Sequence, residues 1–104
     1  MAKSKFSIMM NYHKTMQQAT ALDRLATELA GCLNSNTDSR NQVSAYWKGD
    51  NAQRYLRKID VNNEDIRKIH KNVVDTSNAI KKIAKRTYET EMQTLLISQK
   101  RTYH

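Results

Sequence analysis

Proline is absent from this 104-residue sequence, and glycine occurs only twice, at Gly31 and Gly49. Without proline, nothing forces a helix to kink or stop. Glycine is then the residue best able to take the non-helical backbone that ends a helix. Gly49 lies near the midpoint, inside Trp47-Lys48-Gly49, beside the one tryptophan of the chain. Cys32 is the single cysteine, so no internal disulfide can form. Placed between Leu29 and Leu33, it is expected to be a buried free thiol. No apolar run approaches the roughly 20 residues of a membrane span. Apolar residues make up 38% of the chain, below the usual ~45–50% of a globular domain. A pair of helices cannot enclose a core alone, because each keeps an uncovered outer face, so a hairpin completed by a second protein is expected.

What is present is a long helical periodicity on either side of Gly49. In the first half Leu22, Ala26, Leu29 and Leu33 alternate spacings of four and three, and the row continues through Asn36, Arg40, Val43 and Trp47. Its middle, residues 34–39, is polar and of poor helix propensity, yet the register holds across it, which favours an unbroken helix. In the second half Ala52, Ile59, Ile66, Val73, Ile80 and Thr87 stand seven apart. Tyr55, Ile69 and Ile83 form a companion row, with Leu56 and Ala84 widening the stripe. Asp50, with Gln53 three residues on, resembles a capping box at the start of this helix. The pattern predicts an all-α antiparallel helix-turn-helix hairpin: a first helix over about 12–46, a turn at 47–50, a second helix over about 51–94, and a flexible tail at 99–104. It contains neither an internal repeat nor a second domain.

The net charge of +8 is uneven. Residues 1–20 carry Lys3, Lys5 and Lys14 and no acid, while residues 57–86 carry nine basic and four acidic groups. Such a field suits an acidic protein face, an anionic membrane or nucleic acid, unless it is only a solvated face. The start of the chain, Lys3 and Lys5 followed by Phe6, Ile8, Met9 and Met10, has the flavour of a secretory signal. Asn11 and His13 end its apolar run short of the ~7–15 residues a signal requires, so any export is expected to use another route.

Catalytic constellations are missing. His13, His70 and His104 are scattered, without a Cys or acid at ligand spacing, where a metal site needs three or four convergent ligands. No nucleophile, base and orienting group recur together. Gly31 and Gly49 stand apart and cannot form a phosphate-cradling loop. Adjacent carboxylates such as Glu64 and Asp65 point in different directions on a helix. The chain is therefore expected to be neither an enzyme nor the holder of a cofactor. The basic series Arg57, Lys58, Arg67, Lys68, Lys71, Lys81, Lys82, Lys85 and Arg86 keeps open an alternative, a cytoplasmic nucleic-acid-associated helical protein. It lacks helix-turn-helix, zinc or basic-zipper spacing and interleaved stacking aromatics.

At the predicted turn, Ala45-Tyr46-Trp47-Lys48-Gly49-Asp50-Asn51-Ala52-Gln53-Arg54-Tyr55 resembles the signature of the WXG-motif family. Those are small helical-hairpin proteins of about one hundred residues linked to type VII (ESX-type) secretion in Gram-positive bacteria. Trp47, Gly49, Asn51, Ala52 and Tyr55 fall on the family positions, with Asn51 where alanine is usual, and the resemblance covers about residues 12–92. It implies a non-catalytic protein, made in the cytoplasm and secreted without a signal peptide, with the turn as part of a composite export signal. The family's second element is an aromatic followed four residues later by an acid. Here Tyr88 is followed at that spacing by Met92, with Glu91 one residue early, so a partner could supply that half. The resemblance also implies assembly into a four-helix bundle, with a second WXG-like protein, with the helical domain of an LXG-type toxin, or as a homodimer, and contact with the type VII secretion ATPase. The basic second helix favours a heteromer with an acidic partner. Expected interface residues are Leu22, Leu29, Leu33, Ile59, Ile66, Ile69, Val73, Ile80 and Ile83. Trp47 is expected to plug the apolar end of the hairpin.

Overall fold

The computed structural model describes residues 4–102. Two helices account for nearly all of them: α1, Lys5–Tyr46, and α2, Asp50–Thr102. They form an antiparallel hairpin, and no strand occurs among the described residues. Both helices exceed the expected bounds. α1 starts near residue 5 rather than 12 because Ser4 caps it: the Ser7 amide donates to the Ser4 hydroxyl oxygen at 3.1 Å, and the Ile8 amide donates to the Ser4 carbonyl at 3.0 Å. The polar stretch 34–39 stays helical, with the Thr37 hydroxyl donating back to the Leu33 carbonyl at 2.9 Å. α2 continues through Thr102 where a tail was expected from residue 99, while positions 103 and 104 lie outside the described residues.

Packing divides the chain into two compact units, Met1–Leu22 with Asp75–His104, and Asp23–Val74. Call the first the terminal unit and the second the turn unit. In each, a segment of α1 lies antiparallel to a segment of α2. The terminal unit is registered by a Tyr12–Tyr88 ring contact, with centroids 5.1 Å apart, and by the Ser77 hydroxyl donating to the Ala19 carbonyl at 3.2 Å. The turn unit is registered by Arg40 with Asp60 and by Trp47 with Tyr55.

One regular row of buried and half-buried positions on α1 runs through Ile8, Tyr12, Thr15, Ala19 and Leu22 in the terminal unit, and through Ala26, Leu29, Leu33, Asn36, Arg40 and Val43 in the turn unit; Ser7, Met16, Asp23 and Ala30 are half-buried beside it. The spacing alternates four and three, the signature of one helix packed along another at a shallow angle. α2 contributes Ala52, Leu56, Ile59, Asn63, Ile66, His70 and Val73 to the turn unit, and Ser77, Ile80, Ala84 and Tyr88 to the terminal unit.

The companion row on α2 is therefore not the expected one. Tyr55, Ile69 and Ile83 are exposed, at 42%, 49% and 61%. The column that turns toward α1 is Leu56, Asn63, His70, Ser77 and Ala84. Small side chains explain this choice in the terminal unit, where Ser77 and Ala19 are fully buried. They let the backbones approach, whereas isoleucine there would hold the helices apart. Cys32 is exposed, contrary to expectation. Leu29 and Leu33 lie on the seam, and Cys32, one step before Leu33, points about 100° away from it.

Candidate functional site

The chain reverses within three residues, Trp47, Lys48 and Gly49, between the end of α1 and the start of α2. The Trp47 amide still donates to the Val43 carbonyl at 2.8 Å, and the Gly49 carbonyl accepts from Gln53 at 3.1 Å. Gly49, with φ of 104°, is thus the residue that opens α2. Any side chain there would be strained by the backbone alone, since a Cβ would meet nothing within 4 Å. Asp50 falls one position inside the helix rather than at its cap, where its charge still favours the positive end of the helix dipole.

Trp47 does not plug the hairpin. It is 60% exposed, with its ring 6.3 Å from that of Tyr55, and Tyr46 beside it is 83% exposed. On α2 the buried residues of this end are Ala52 and Leu56, at 2% and 9% exposure. The turn therefore displays three aromatic rings on its surface.

Next to the turn, Arg40 and Asp60 form a two-pronged ion pair, Nε to Oδ1 at 2.6 Å and Nη2 to Oδ2 at 3.3 Å. The bond from Arg40 holds the Asp60 carboxyl below its ordinary range; burial opposes it, and the charges of Arg40 and Arg67 add to the lowering. The same bond raises the Arg40 guanidinium. Asn63 is buried, and its Oδ1 finds no hydrogen-bond partner.

Of the expected interface residues, Leu22, Leu29, Leu33, Ile59, Val73 and Ile80 are half-buried within the chain, and Ile66 is 8% exposed. Ile69 and Ile83 face outward. In the terminal unit the Tyr12–Tyr88 pair stands between two grooves. One, of about 80 Å³, is walled by Ile8, Asn11, Thr15, Ile83, Thr87 and Glu91 beside the tyrosines. The other, of about 360 Å³, is walled by Met9, His13, Lys85 and Glu89 with the same two rings. Tyr88 and Glu91 thus share the narrower groove, with Tyr88 half-buried against Tyr12 rather than presented freely. Tyr12 and Met9 gave no sequence signal of a site. A Met-Met-Asn-Tyr-His run at 9–13 was visible only as the end of an apolar stretch.

Among the described residues no group of three or more His, Cys, Asp or Glu side chains converges as a metal would require. No helix of the described residues is long and apolar enough to cross a membrane. No curated protein and no solved structure matches the chain. A family model, WXG100, described as proteins of 100 residues with WXG, matches residues 7–92. Its members are small helical proteins of the type VII secretion system, secreted without a signal peptide, typically paired with other proteins and not known as enzymes. With the two helices, the Trp47-Lys48-Gly49 turn and most of the length matched, the chain belongs to the WXG100 family.

Proposed function

We propose that this protein leaves the cell through type VII secretion in a complex, either as cargo or as the factor that brings a partner to the export machinery. Its hairpin pairs with a second helical hairpin to complete a four-helix bundle. The partner is a WXG-like protein or the helical domain of an LXG-type toxin, with a homodimer as the remaining form. The observation that carries this reading is the uncovered column of α2, Ile69 and Ile83, beside the half-buried Ile59, Val73 and Ile80. Uncovering apolar side chains costs roughly 25 cal/mol per Å², so a helix flank that repeats isoleucine every fourteen residues favours being covered. The exposed rings of Tyr46, Trp47 and Tyr55 give the secretion ATPase an aromatic surface to read. Tyr88 with Glu91 supplies a second element in the same groove. The nucleic-acid reading has only the basic series behind it, and family membership does not favour it.

Co-expression with the products of neighbouring genes, followed by size-exclusion chromatography, tests the pairing. A stable heteromer is expected, and a monodisperse homodimer indifferent to every neighbour would overturn the heteromer. Trp47→Ala is expected to abolish export while leaving the helix content intact, since the ring is largely solvent-exposed. Secretion of that variant at the parent level would remove the turn from the signal.

A further inference from the structure

The wider of the two grooves beside the Tyr12–Tyr88 pair assigns a second contact that the sequence did not suggest. We infer that this groove is the anchor site for an acidic amphipathic helix of the partner, which inserts one bulky apolar side chain between Met9 and the Tyr12–Tyr88 pair. The inference rests on the pairing proposed above and adds where the partner engages and with what chemistry.

Three observations support it. The groove is about 360 Å³ and opens to solvent, at the lower end of the volumes that hold a ligand group or a large side chain. Its walls are a methionine, which adapts its shape to an incoming apolar group, and two tyrosines in tilted contact at 5.1 Å, which give a flat amphipathic floor. These are the side chains that serve as binding hot spots and as walls for a helix laid into a groove. The electrostatics select the sign of the occupant. Met1–Leu22 contains no acid, and the whole terminal unit carries nine basic residues against three acidic ones. Lys85 and Glu89 stand four residues apart on α2, on either side of Tyr88, so the rim offers a donor at one end and an acceptor at the other. An acidic helix gains from Lys85 and the surrounding excess of positive charge, and Glu89 fixes its direction by disfavouring a carboxylate at that end. A second copy of this basic chain would bring like charges together at the same place.

The full-length protein can be titrated with a synthetic amphipathic helix of about twenty residues with a leucine–phenylalanine stripe and a glutamate face, with its lysine-faced counterpart, and with vesicles of equal phosphatidylglycerol and phosphatidylcholine. Fluorescence anisotropy or vesicle co-sedimentation gives affinity, and amide shifts of the labelled protein give location. The glutamate peptide is expected to bind at least about tenfold more tightly than the lysine peptide, with the largest shifts at Met9, Tyr12, His13, Lys85, Tyr88 and Glu89. Met9→Gln, a change at a 39% exposed side chain, is expected to weaken it about tenfold with helix content unchanged. Val61→Gln, a change at an exposed side chain of the turn unit outside both proposed contacts, is expected to change it less than twofold. If Ile69→Gln abolishes binding and Met9→Gln does not, the α2 flank is the contact: the pairing reading stands and this inference falls. Equal binding of both peptides, preference for the vesicles, or a self-association that Met9→Gln disrupts would each overturn it. A protein that binds no neighbouring gene product yet takes the acidic peptide in this groove would instead count against the pairing and keep the site.

Discussion

The terminal and turn units are built from the same two helices and carry the same number of basic residues, nine each, but their acids differ: three in the terminal unit and seven in the turn unit. The turn unit neutralises its charge internally. Arg40 is clamped by Asp60, and Glu64 sits 3.6 Å from Arg67. The terminal unit, with three acids for nine bases, leaves most of its charge uncompensated, and its seam sets small and aromatic groups, Ala19, Ser77, Ala84, Tyr12 and Tyr88, beside Ile8, Leu22 and Ile80. A basic sequence is thus not basic everywhere. One length of the hairpin is organised to hold itself together, and the other is charged for something outside it.

That contrast can be broken by experiment. The largest effects are expected from the two best-buried isoleucines, Ile8 in the terminal unit and Ile66 in the turn unit. Replacing either with alanine should cost about 2–5 kcal/mol, read as a lowered midpoint in urea followed by circular dichroism. A single transition in both variants would show that the two units fold cooperatively, and a biphasic curve in either would show that they separate. Next come the buried polar groups. Asn63→Leu should stabilise the turn unit by about 1–3 kcal/mol, because it removes a buried oxygen without a partner. Ser77→Ala should destabilise the terminal unit by about 0.5–1.5 kcal/mol, since its hydroxyl is satisfied by Ala19. Thermal unfolding of both variants measures that difference in sign, and two shifts of the same sign would refute it.

The glycines should also respond in opposite directions. Gly49→Ala should lose about 1–2 kcal/mol, because alanine resists a φ of 104°. Gly31→Ala should gain about 0.5–1 kcal/mol, because that position is an open helix interior. The smallest effect belongs to Asp60. Its folded carboxyl titrates below its unfolded value of about 3.9, so its contribution is full above that value and fades as pH falls through the lowered one. Arg40, raised from an already high value, contributes without change across the same range. An acid titration of Asp60→Asn, monitored by ellipticity, should lack the part of the slope below about pH 4 that the parent shows. Because both partners are exposed and open to salt, the difference should shrink as ionic strength rises.

How much of this was legible in the sequence follows from what each side chain advertises. The α1 row from Leu22 to Val43 kept its spacing through a polar middle, and the structure follows it. The α2 row Ala52, Ile59, Ile66, Val73 and Ile80 was equally plain. Its neighbour was hidden because the column facing α1 contains Asn63, His70 and Ser77, which look like surface residues, while Ile69 and Ile83 look like core. Hydrophobic period tells which residues share a face, but the choice between two adjacent columns is made by how closely the backbones approach, and only the small residues of the terminal unit reveal that. Trp47 misled as well, since its size suggested a plug and the ring stands largely exposed beside Tyr55. The grooves beside Tyr12 and Tyr88 could not be read at all, because they depend on positions 76 residues apart in the chain being brought side by side.

Residues 4–22 and 75–102 belong to a single unit, and among the described residues the chain reverses once, at Gly49. A motor drawing on either terminus would therefore load the contacts between α1 and α2 one after another, beginning with those of the terminal unit, instead of stressing the whole seam together. Such a hairpin opens step by step, and a loose loop is left only when the last pair parts at the bend.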